Sequence, residues 1–266
     1  MGKARENLYA STDKVRDANL RTLKRMALER FKAARRIENE YLKSLRQVSR
    51  QIDNIVKGMA PKGQIKNPRE LAKMLQQYAQ LISPWAKALA EKMVKEIATK
   101  NKKAWESVGN DVGKVFKREL EFERSGQLFQ QLQNEQIVLI TSLPLEAAER
   151  VHKLAAEAQT TGARPKQIAD AILATGSVTK SRANTIARTE VARASSLITQ
   201  ARATELGITH YVWRTSQDSD VRTAHKEMNG KVIAFDNPPT LSDGTTTHAG
   251  QIYNCRCYPE PIITED

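Results

Sequence analysis

Four side chains near the carboxyl end of the chain are of types that bind metal ions: His225, His248, Cys255 and Cys257. Imidazole and thiolate groups are the usual ligands of zinc in tetrahedral protein sites. Cys255 and Cys257 are the two cysteines of the chain and have one residue between them. Residues two apart on a strand point to the same face, so a strand here would turn both sulfurs in one direction. A structural zinc ion, which would stabilise a small unit with little core, is therefore one hypothesis for this segment.

The same residues also suit a site without metal. Cys255 and Cys257 are closer in sequence than the cysteine pairs of common zinc sites, which have two to four residues between them. His225 and His248 are separated by 22 residues that include a polar loop. In this alternative the cysteines are small buried apolar groups, and His225 forms a hydrogen bond with Asp218 or a carbonyl group. A disulfide across one residue would be strained, so we expect reduced thiols under both hypotheses.

The elements that would position these residues are short strands and one short helix. Gly207 is expected to end a long helix, because glycine is favoured just after a helix C-terminus. Branched and aromatic residues then predict three strands, in the segments ITHYVWRT, KVIAF and CRCYPEPII. Asn229 and Gly230 indicate a turn. A short helix is expected within SQDSDVRTAHKEM, with Ser216, Asp218 or Asp220 as its N-cap.

The first part of the chain has the pattern of a long amphipathic helix. From Leu20 to Ile55, apolar residues follow one another at steps of three or four, which is typical of a helix that packs along another helix. The glycines and proline of KGMAPKG are expected to end it. Asn67 followed by Pro68 predicts the start of a second helix. Ser83 and the proline after it predict either a kink or a further start.

The middle of the chain is predicted to be helical, with one ambiguous segment. A helical stretch is expected from Asp111 to Glu135, interrupted near Ser125. The apolar run IVLITSLP fits either a short strand or the end of a helix, and another helix is expected to begin at Pro144. These elements together predict an α+β protein that is mostly helical in its N-terminal portion and has a small α+β unit at its C-terminal end.

Charge divides the chain into two parts. Residues 1–135 contain 29 lysines and arginines against 16 aspartates and glutamates, whereas residues 136–266 contain 14 of each kind. A basic surface attracts polyanions such as nucleic acid, although it is also typical of a well-solvated helix. We therefore expect a basic helical region for macromolecular contact in residues 1–135 and a separate domain in residues 136–266.

Neither end of the sequence indicates membrane insertion. The opening MGKARENLYA has charges where a signal peptide would have its apolar stretch. No apolar run approaches the length that spans a bilayer. We expect no membrane contact and no export by this route.

An ordered set of residues in the last part of the chain resembles the phage Mu F-like minor head proteins, also called the phage head morphogenesis family. The family pattern has an Arg-Thr-Glu helix, a tryptophan, an aspartate before an Arg-x-x-His helix, a glycine turn and a terminal Cys-x-Cys. The resemblance extends over about residues 144–262, and a proline often found before the cysteines is absent here. The matching residues are Arg188, Glu190, Trp213, Asp218, Arg222, His225, Gly230, Cys255, Arg256 and Cys257.

The resemblance implies a minor head protein of a tailed phage or prophage that acts in head assembly and in DNA packaging or delivery, with no agreed enzymatic activity. The partners that it implies are the portal protein or the major capsid protein, and the basic half adds packaged double-stranded DNA. The protein would lie in the virion, in the capsid interior or at the portal vertex, and in the host cytoplasm during assembly. Arg188 and Glu190 are expected to pair with residues that lock the long helix to the α+β unit, and Arg222 to pair with Asp218 or Asp220.

Two other functions fit parts of the sequence. A metal-dependent nuclease or toxin-like hydrolase would use His225 as a general base and Asp218, Asp220 or the cysteines to hold an ion. The chain has no recognisable nucleophile elbow or glycine-rich phosphate loop to support this function. A basic helical scaffold that binds DNA would explain residues 1–135 but not the terminal cysteines and histidines.

Overall fold

A computed structural model of the protein describes residues 2–112, 125–161 and 165–262. Seven α-helices and three strands lie within these residues. The helices are α1 (Gly2–Gly58), α2 (Pro68–Leu81), α3 (Ser83–Val112), α4 (Ser125–Thr161), α5 (Pro165–Leu173), α6 (Thr175–Glu205) and α7 (Thr223–Lys226). The strands are β1 (His210–Thr215), β2 (Val232–Ala234) and β3 (Cys257–Pro261). The predicted class, mostly helical with a small α+β unit, is confirmed.

Helix α1 buries the apolar stripe that its sequence predicts. Leu45 and Ile52 are fully buried, and after Ile52 the stripe continues at Val56 rather than at the predicted Ile55. A step of four keeps the side chain on the same face of an α-helix. The helix ends at Gly58, and a short 3-10 turn over Pro61–Gly63 follows, as the glycines and proline of this segment predict.

The starts of α2 and α3 follow local capping chemistry. The side-chain oxygen of Asn67 accepts a hydrogen bond of 3.1 Å from the backbone N–H of Glu70, so Asn67 is the N-cap of α2 as predicted. Such a bond satisfies one of the N–H groups that have no partner at the start of a helix. The helix ends at Leu81, and Ser83 begins α3, so the Ser-Pro pair marks a new helix rather than a kink.

Helix α4 decides one alternative that the sequence left open in the middle of the chain and corrects one prediction. The run IVLITSLP is helical, and Pro144 lies inside α4 instead of starting a helix. In the turn before Pro144, two side-chain hydroxyl groups donate hydrogen bonds to backbone carbonyl groups of the helix. Thr141 donates to the carbonyl of Ile137, and Ser142 donates to the carbonyl of Leu139. Of the helical stretch predicted from Asp111 to Glu135, residues 113–124 lie outside the described residues.

The last strands form one small antiparallel sheet with β1 at its centre and the order β2-β1-β3. In the register of β1 with β3, Trp213 lies opposite Pro259 and Thr215 opposite Cys257. Helix α6 ends before β1 with Gly207 at a φ of 73°, and the N–H of Ile208 bonds to the carbonyl of Ala203 at 2.9 Å. This is the glycine cap that the sequence predicts.

The chain divides into two compact units. Unit 1 contains Met1–Arg36, Lys95–Leu128 and Val191–Asp266, and unit 2 contains Ile37–Val94 and Phe129–Glu190. Each unit thus contains segments from both sides of residue 135. The division of function that charge predicts at this position stays a prediction.

The core of unit 1 surrounds the small sheet. Trp213 and Tyr211 of β1 are fully buried, as is Trp105 of α3, and both cysteines belong to the same cluster. Burying one large aromatic side chain removes 150–250 Å² from water, which contributes about 4–6 kcal/mol. Among the described residues, no helix is both long enough and apolar enough to cross a membrane.

Candidate functional site

His225 is positioned by the short helix α7, whose start differs from the prediction. The N-cap of α7 is Arg222, with no side-chain hydrogen bond, so none of the three predicted caps serves. Asp218 instead organises the loop before the helix. One of its oxygens accepts from the backbone N–H of Asp220 at 3.1 Å, and the other accepts from the hydroxyl of Ser216 at 3.0 Å. This Asx turn directs the chain into α7, in which His225 is buried.

The two cysteines lie on different local structures. Cys255 closes a turn in which its N–H bonds to the carbonyl of Ile252 at 3.2 Å, with Asn254 in the left-handed region at a φ of 54°. Cys257 is the first residue of β3. The expectation that both occupy one strand is therefore wrong, because the chain straightens only at Cys257. The turn nevertheless brings both sulfurs to the same buried place.

His225, Cys255 and Cys257 form one buried cluster. Nδ1 of His225 lies 3.3 Å from Sγ of Cys257 and 3.5 Å from Sγ of Cys255. These three atoms all lie within 4.8 Å of one another. The edge of the His225 ring meets the ring of Trp213 at a centroid distance of 5.7 Å. Nε2 of His225 is buried and has no hydrogen-bond partner among the described residues.

The pKa values of the two thiols are shifted in opposite directions. The hydrogen bond from Cys257, together with that from His225, lowers the pKa of the Cys255 thiol to about 5 despite its burial. The adjacent Cys255 sulfur and burial raise the pKa of the Cys257 thiol. Cys255 is therefore the more readily deprotonated of the two thiols, and the thiolate is the form that binds metal ions.

His248 lies outside this cluster. It is buried, and its Nδ1 is 3.2 Å from the hydroxyl of Tyr211, which also accepts from the backbone N–H of Ala249 at 3.3 Å. Burial lowers the pKa of His248 below its ordinary value. The structure thus brings together three of the four predicted ligands. Tyr211 was not predicted to take part, although its place on the buried face of β1, two residues before Trp213, could have indicated it.

Arg256, which lies between the two cysteines, forms ion pairs with the loop that leads into α7. Its guanidinium lies 2.6 Å from carboxylate oxygens of both Asp218 and Asp220. Arg222, which was predicted to pair with these aspartates, instead donates to the carbonyl of Tyr253 at 2.9 Å. That prediction was wrong because sequence proximity favours Arg222, whereas the fold places Arg256 against both carboxylates.

Trp213 and Gly230 support the cluster from the side of the sheet. Trp213 is fully buried on β1. Gly230 has a φ of 90°, a conformation that few other residues adopt, and its N–H bonds to the carbonyl of Trp213 at 2.8 Å. This bond ties the turn after α7 to the central strand.

Arg188 and Glu190 of α6 belong to unit 2. Nε of Arg188 is 3.6 Å from Glu38 of α1, and Glu190 accepts a hydrogen bond of 2.9 Å from Gln136 of α4. The buried Gln136 in turn accepts from the hydroxyl of Tyr41 at 3.0 Å. These contacts join helices to one another, and the prediction that Arg188 and Glu190 hold α6 to the α+β unit stays a prediction.

A comparison with known proteins shows that part of the chain is similar to a known family. Residues 149–259 match the family model described as phage Mu protein F like protein. The resemblance to the phage Mu F-like family is confirmed. This Mu F-like segment contains every residue of the motif, from Arg188 to Cys257.

One curated relative extends the comparison. The chain is 35% identical over 127 residues to an uncharacterized protein of Haemophilus influenzae. The alignment covers 48% of this chain but 28% of the relative, so the chain spans little more than a quarter of that protein's length. No solved structure matches the chain.

Proposed function

We propose that this protein is a minor head protein of a tailed phage or prophage that acts in head assembly. The match of residues 149–259 to the phage Mu F-like family carries the proposal. The buried positions of Trp213, His225 and both cysteines support it, because these motif residues form one connected cluster in the core of unit 1.

The charge of the chain supports a place beside packaged DNA. The excess of basic residues lies in residues 1–135. Helix α1 presents several of these residues to solvent, among them Lys24, Arg25 and Arg36. Cations on a helical surface neutralise phosphates and need no base-specific contact. We infer that this surface meets DNA, and that the portal protein or the major capsid protein anchors the chain in the capsid interior or at the portal vertex.

We infer a structural rather than an enzymatic role for the cluster. His225, the general base of the nuclease hypothesis, is 2% exposed, and the two thiols are 4% and 3% exposed. A general base must come within hydrogen-bond reach of the proton that it removes. A phosphodiester could reach these atoms only if the core of unit 1 opened.

The proposal is tested in the phage that encodes the chain. Heads are purified from a strain with the gene and from a deletion strain, and their proteins are identified by mass spectrometry. We expect the protein in purified heads, and we expect the deletion to lower the yield of infectious particles while the major capsid protein is still made. Heads without the protein, together with an unchanged yield from the deletion strain, would overturn the proposal.

The anchor is tested separately with the full chain. The protein is co-expressed with the portal protein of the same phage and run on gel filtration at moderate and high salt. Co-elution in a defined ratio supports portal association. If the two elute apart at every salt concentration while heads still contain the protein, the portal is excluded as the anchor and the major capsid protein is tested in the same way.

A further inference from the structure

We propose that His225, Cys255 and Cys257 bind one zinc ion, with the fourth coordination position taken by water. This inference goes beyond the role in head assembly and is independent of it. It also differs from the four-ligand hypothesis drawn from the sequence, because the structure leaves His248 outside the ligand group.

The distances within the cluster fit a single zinc ion. With zinc–sulfur bonds of about 2.3 Å and zinc–nitrogen bonds of about 2.0–2.1 Å, the nitrogen and each sulfur of a tetrahedral site lie about 3.6 Å apart. Nδ1 of His225 lies 3.3 Å from one sulfur and 3.5 Å from the other. These two nitrogen–sulfur distances need to change by only a few tenths of an ångström to match a zinc site.

The surroundings hold these three ligands in place without help from a metal. Arg256 binds both Asp218 and Asp220 before α7. Arg222 reaches back from the start of α7 to the carbonyl of Tyr253. These contacts connect the segment that carries His225 with the turn that carries the cysteines. A site whose ligands are already ordered loses less conformational entropy when it binds the ion.

Without a metal ion, the buried imidazole of His225 has few hydrogen bonds to offset the loss of its contacts with water. Nε2 of His225 has no hydrogen-bond partner in the described part of the chain, and leaving a buried polar group unpaired costs about 1–3 kcal/mol. The neighbours of Nδ1 are two sulfurs, which are weak hydrogen-bond partners. A bond from Nδ1 to a zinc ion would replace these weak partners with a strong one and would explain why histidine occupies a position packed against Trp213.

The choice of zinc follows from the ligand atoms. Thiolates select soft or borderline cations, and imidazole is a common ligand of zinc. Magnesium and calcium prefer oxygen ligands, and none of the three ligand atoms is oxygen.

The test measures bound metal on the full chain. The protein is loaded with zinc sulfate, dialysed, and analysed by elemental mass spectrometry, with circular dichroism to check its helix content. We expect about one zinc per chain in the parent protein. Cys255→Ser, Cys257→Ser and His225→Gln should each lose the metal, whereas the matched control His248→Gln should keep it.

Three other outcomes of this measurement would overturn the proposal. A folded parent without zinc excludes the site, and zinc retained by both cysteine variants shows that the metal binds elsewhere. Loss of zinc from a folded His248→Gln restores the four-ligand hypothesis and removes the three-ligand one. If the cysteine variants fail to fold, the parent is loaded with cobalt(II) instead. Thiolate-to-cobalt charge-transfer bands then support the site, and their absence rejects it.

Discussion

At the scale of single residues, Arg256 shows how the motif around the cysteines works. Its side chain is 12% exposed and binds two carboxylates, while its neighbours on either side turn their sulfurs into the core. One residue thus fixes the direction of a turn that two buried thiols depend on. Charge-assisted hydrogen bonds of this kind are stronger than neutral ones.

We predict that Arg256→Met lowers the free energy of unfolding by about 1–2 kcal/mol at neutral pH. This value lies at the low end for bonds between charged groups, because Asp218 is 38% and Asp220 is 64% exposed. Chemical denaturation of the chelator-treated protein measures the change. Lys226→Met is the matched control, since Lys226 is an exposed cation on the neighbouring helix α7, and it should change stability by less than about 0.5 kcal/mol.

The ion pair of Arg256 with Asp218 predicts that the stability of the protein depends on pH. Partial burial alone would raise the pKa of Asp218, but the hydrogen bonds from Arg256 and Ser216 outweigh it and lower that pKa. A carboxylate with a lowered folded pKa stabilises the protein above its unfolded value of about 3.9 and loses this effect as pH falls through the folded value. The difference between the parent and Arg256→Met should therefore close below about pH 4. An unchanged difference at pH 3 would contradict this account.

At the scale of elements, helices α1 and α6 approach closely at Gly176. A methyl group there would lie 2.7 Å from Cβ of Asp53 on α1, which is closer than carbon atoms normally pack. The hydroxyl of Ser49, one turn earlier on α1, lies 3.4 Å from the carbonyl of Gly176. The contact depends on the absence of a side chain at this position.

We predict that Gly176→Ala destabilises unit 2 by about 1–3 kcal/mol, because the added methyl group must push the two helices apart. Gly58→Ala is the control, since nothing lies within 4 Å of that methyl position and Gly58 also belongs to unit 2. Thermal unfolding followed by circular dichroism compares the two variants. Equal melting temperatures for both would show that the helices do not touch at Gly176.

The elements that the sequence predicts well are those decided by near neighbours. The Asn67 cap and the Gly207 cap each need only the few residues around them, and both are present. Pro144 misled the prediction, because a proline inside a helix looks in sequence like one that starts a helix. The flanking residues alone do not decide between the two.

The sequence predicted only part of the candidate site, because neighbouring residues alone do not decide which side chains meet. The branched and aromatic residues of the last segment assigned Cys255 to a strand, whereas the left-handed Asn254 makes it part of a turn. The metal-ligand types pointed to His225 and the cysteines, which do lie together. They pointed equally to His248, whose Nδ1 lies instead beside the hydroxyl of Tyr211. Residue type indicates candidate ligands, but long-range packing decides which of them meet.

At the scale of the whole molecule, charge and folding divide the chain differently. Each compact unit draws residues from both sides of position 135. A fragment cut at that position would lack segments of both units, so tests of the basic region need the full chain. Point substitutions on the surface keep both units complete.

We predict that the full chain binds double-stranded DNA without sequence preference and that salt weakens the binding steeply. If about six phosphates are neutralised, affinity should fall by roughly a thousandfold between 50 and 200 mM salt. Fluorescence anisotropy with a labelled duplex of about 30 base pairs measures both the affinity and its slope.

Two sets of substitutions locate the DNA surface. Glutamine in place of Arg21, Lys24 and Arg25 on α1 should reduce the salt slope by about 0.9 for each phosphate that is no longer neutralised. Glutamine in place of the exposed Lys153, Lys226 and Lys231 removes the same charge from the neutral part of the chain and should leave the slope unchanged. Equal effects of the two sets would mean that DNA senses only net charge.

The composition of the two units also sets an order for synthesis. Unit 2 has all its segments once Glu190 has been made, whereas unit 1 still awaits β3. Leu23 and Met26 belong to the same core cluster as the two cysteines, and the ring of Phe31 stacks on that of Tyr258 at 4.7 Å. On the ribosome, therefore, Leu23, Met26 and Phe31 emerge long before β3 and must wait for it before they are covered, and a host chaperone could hold them during that interval.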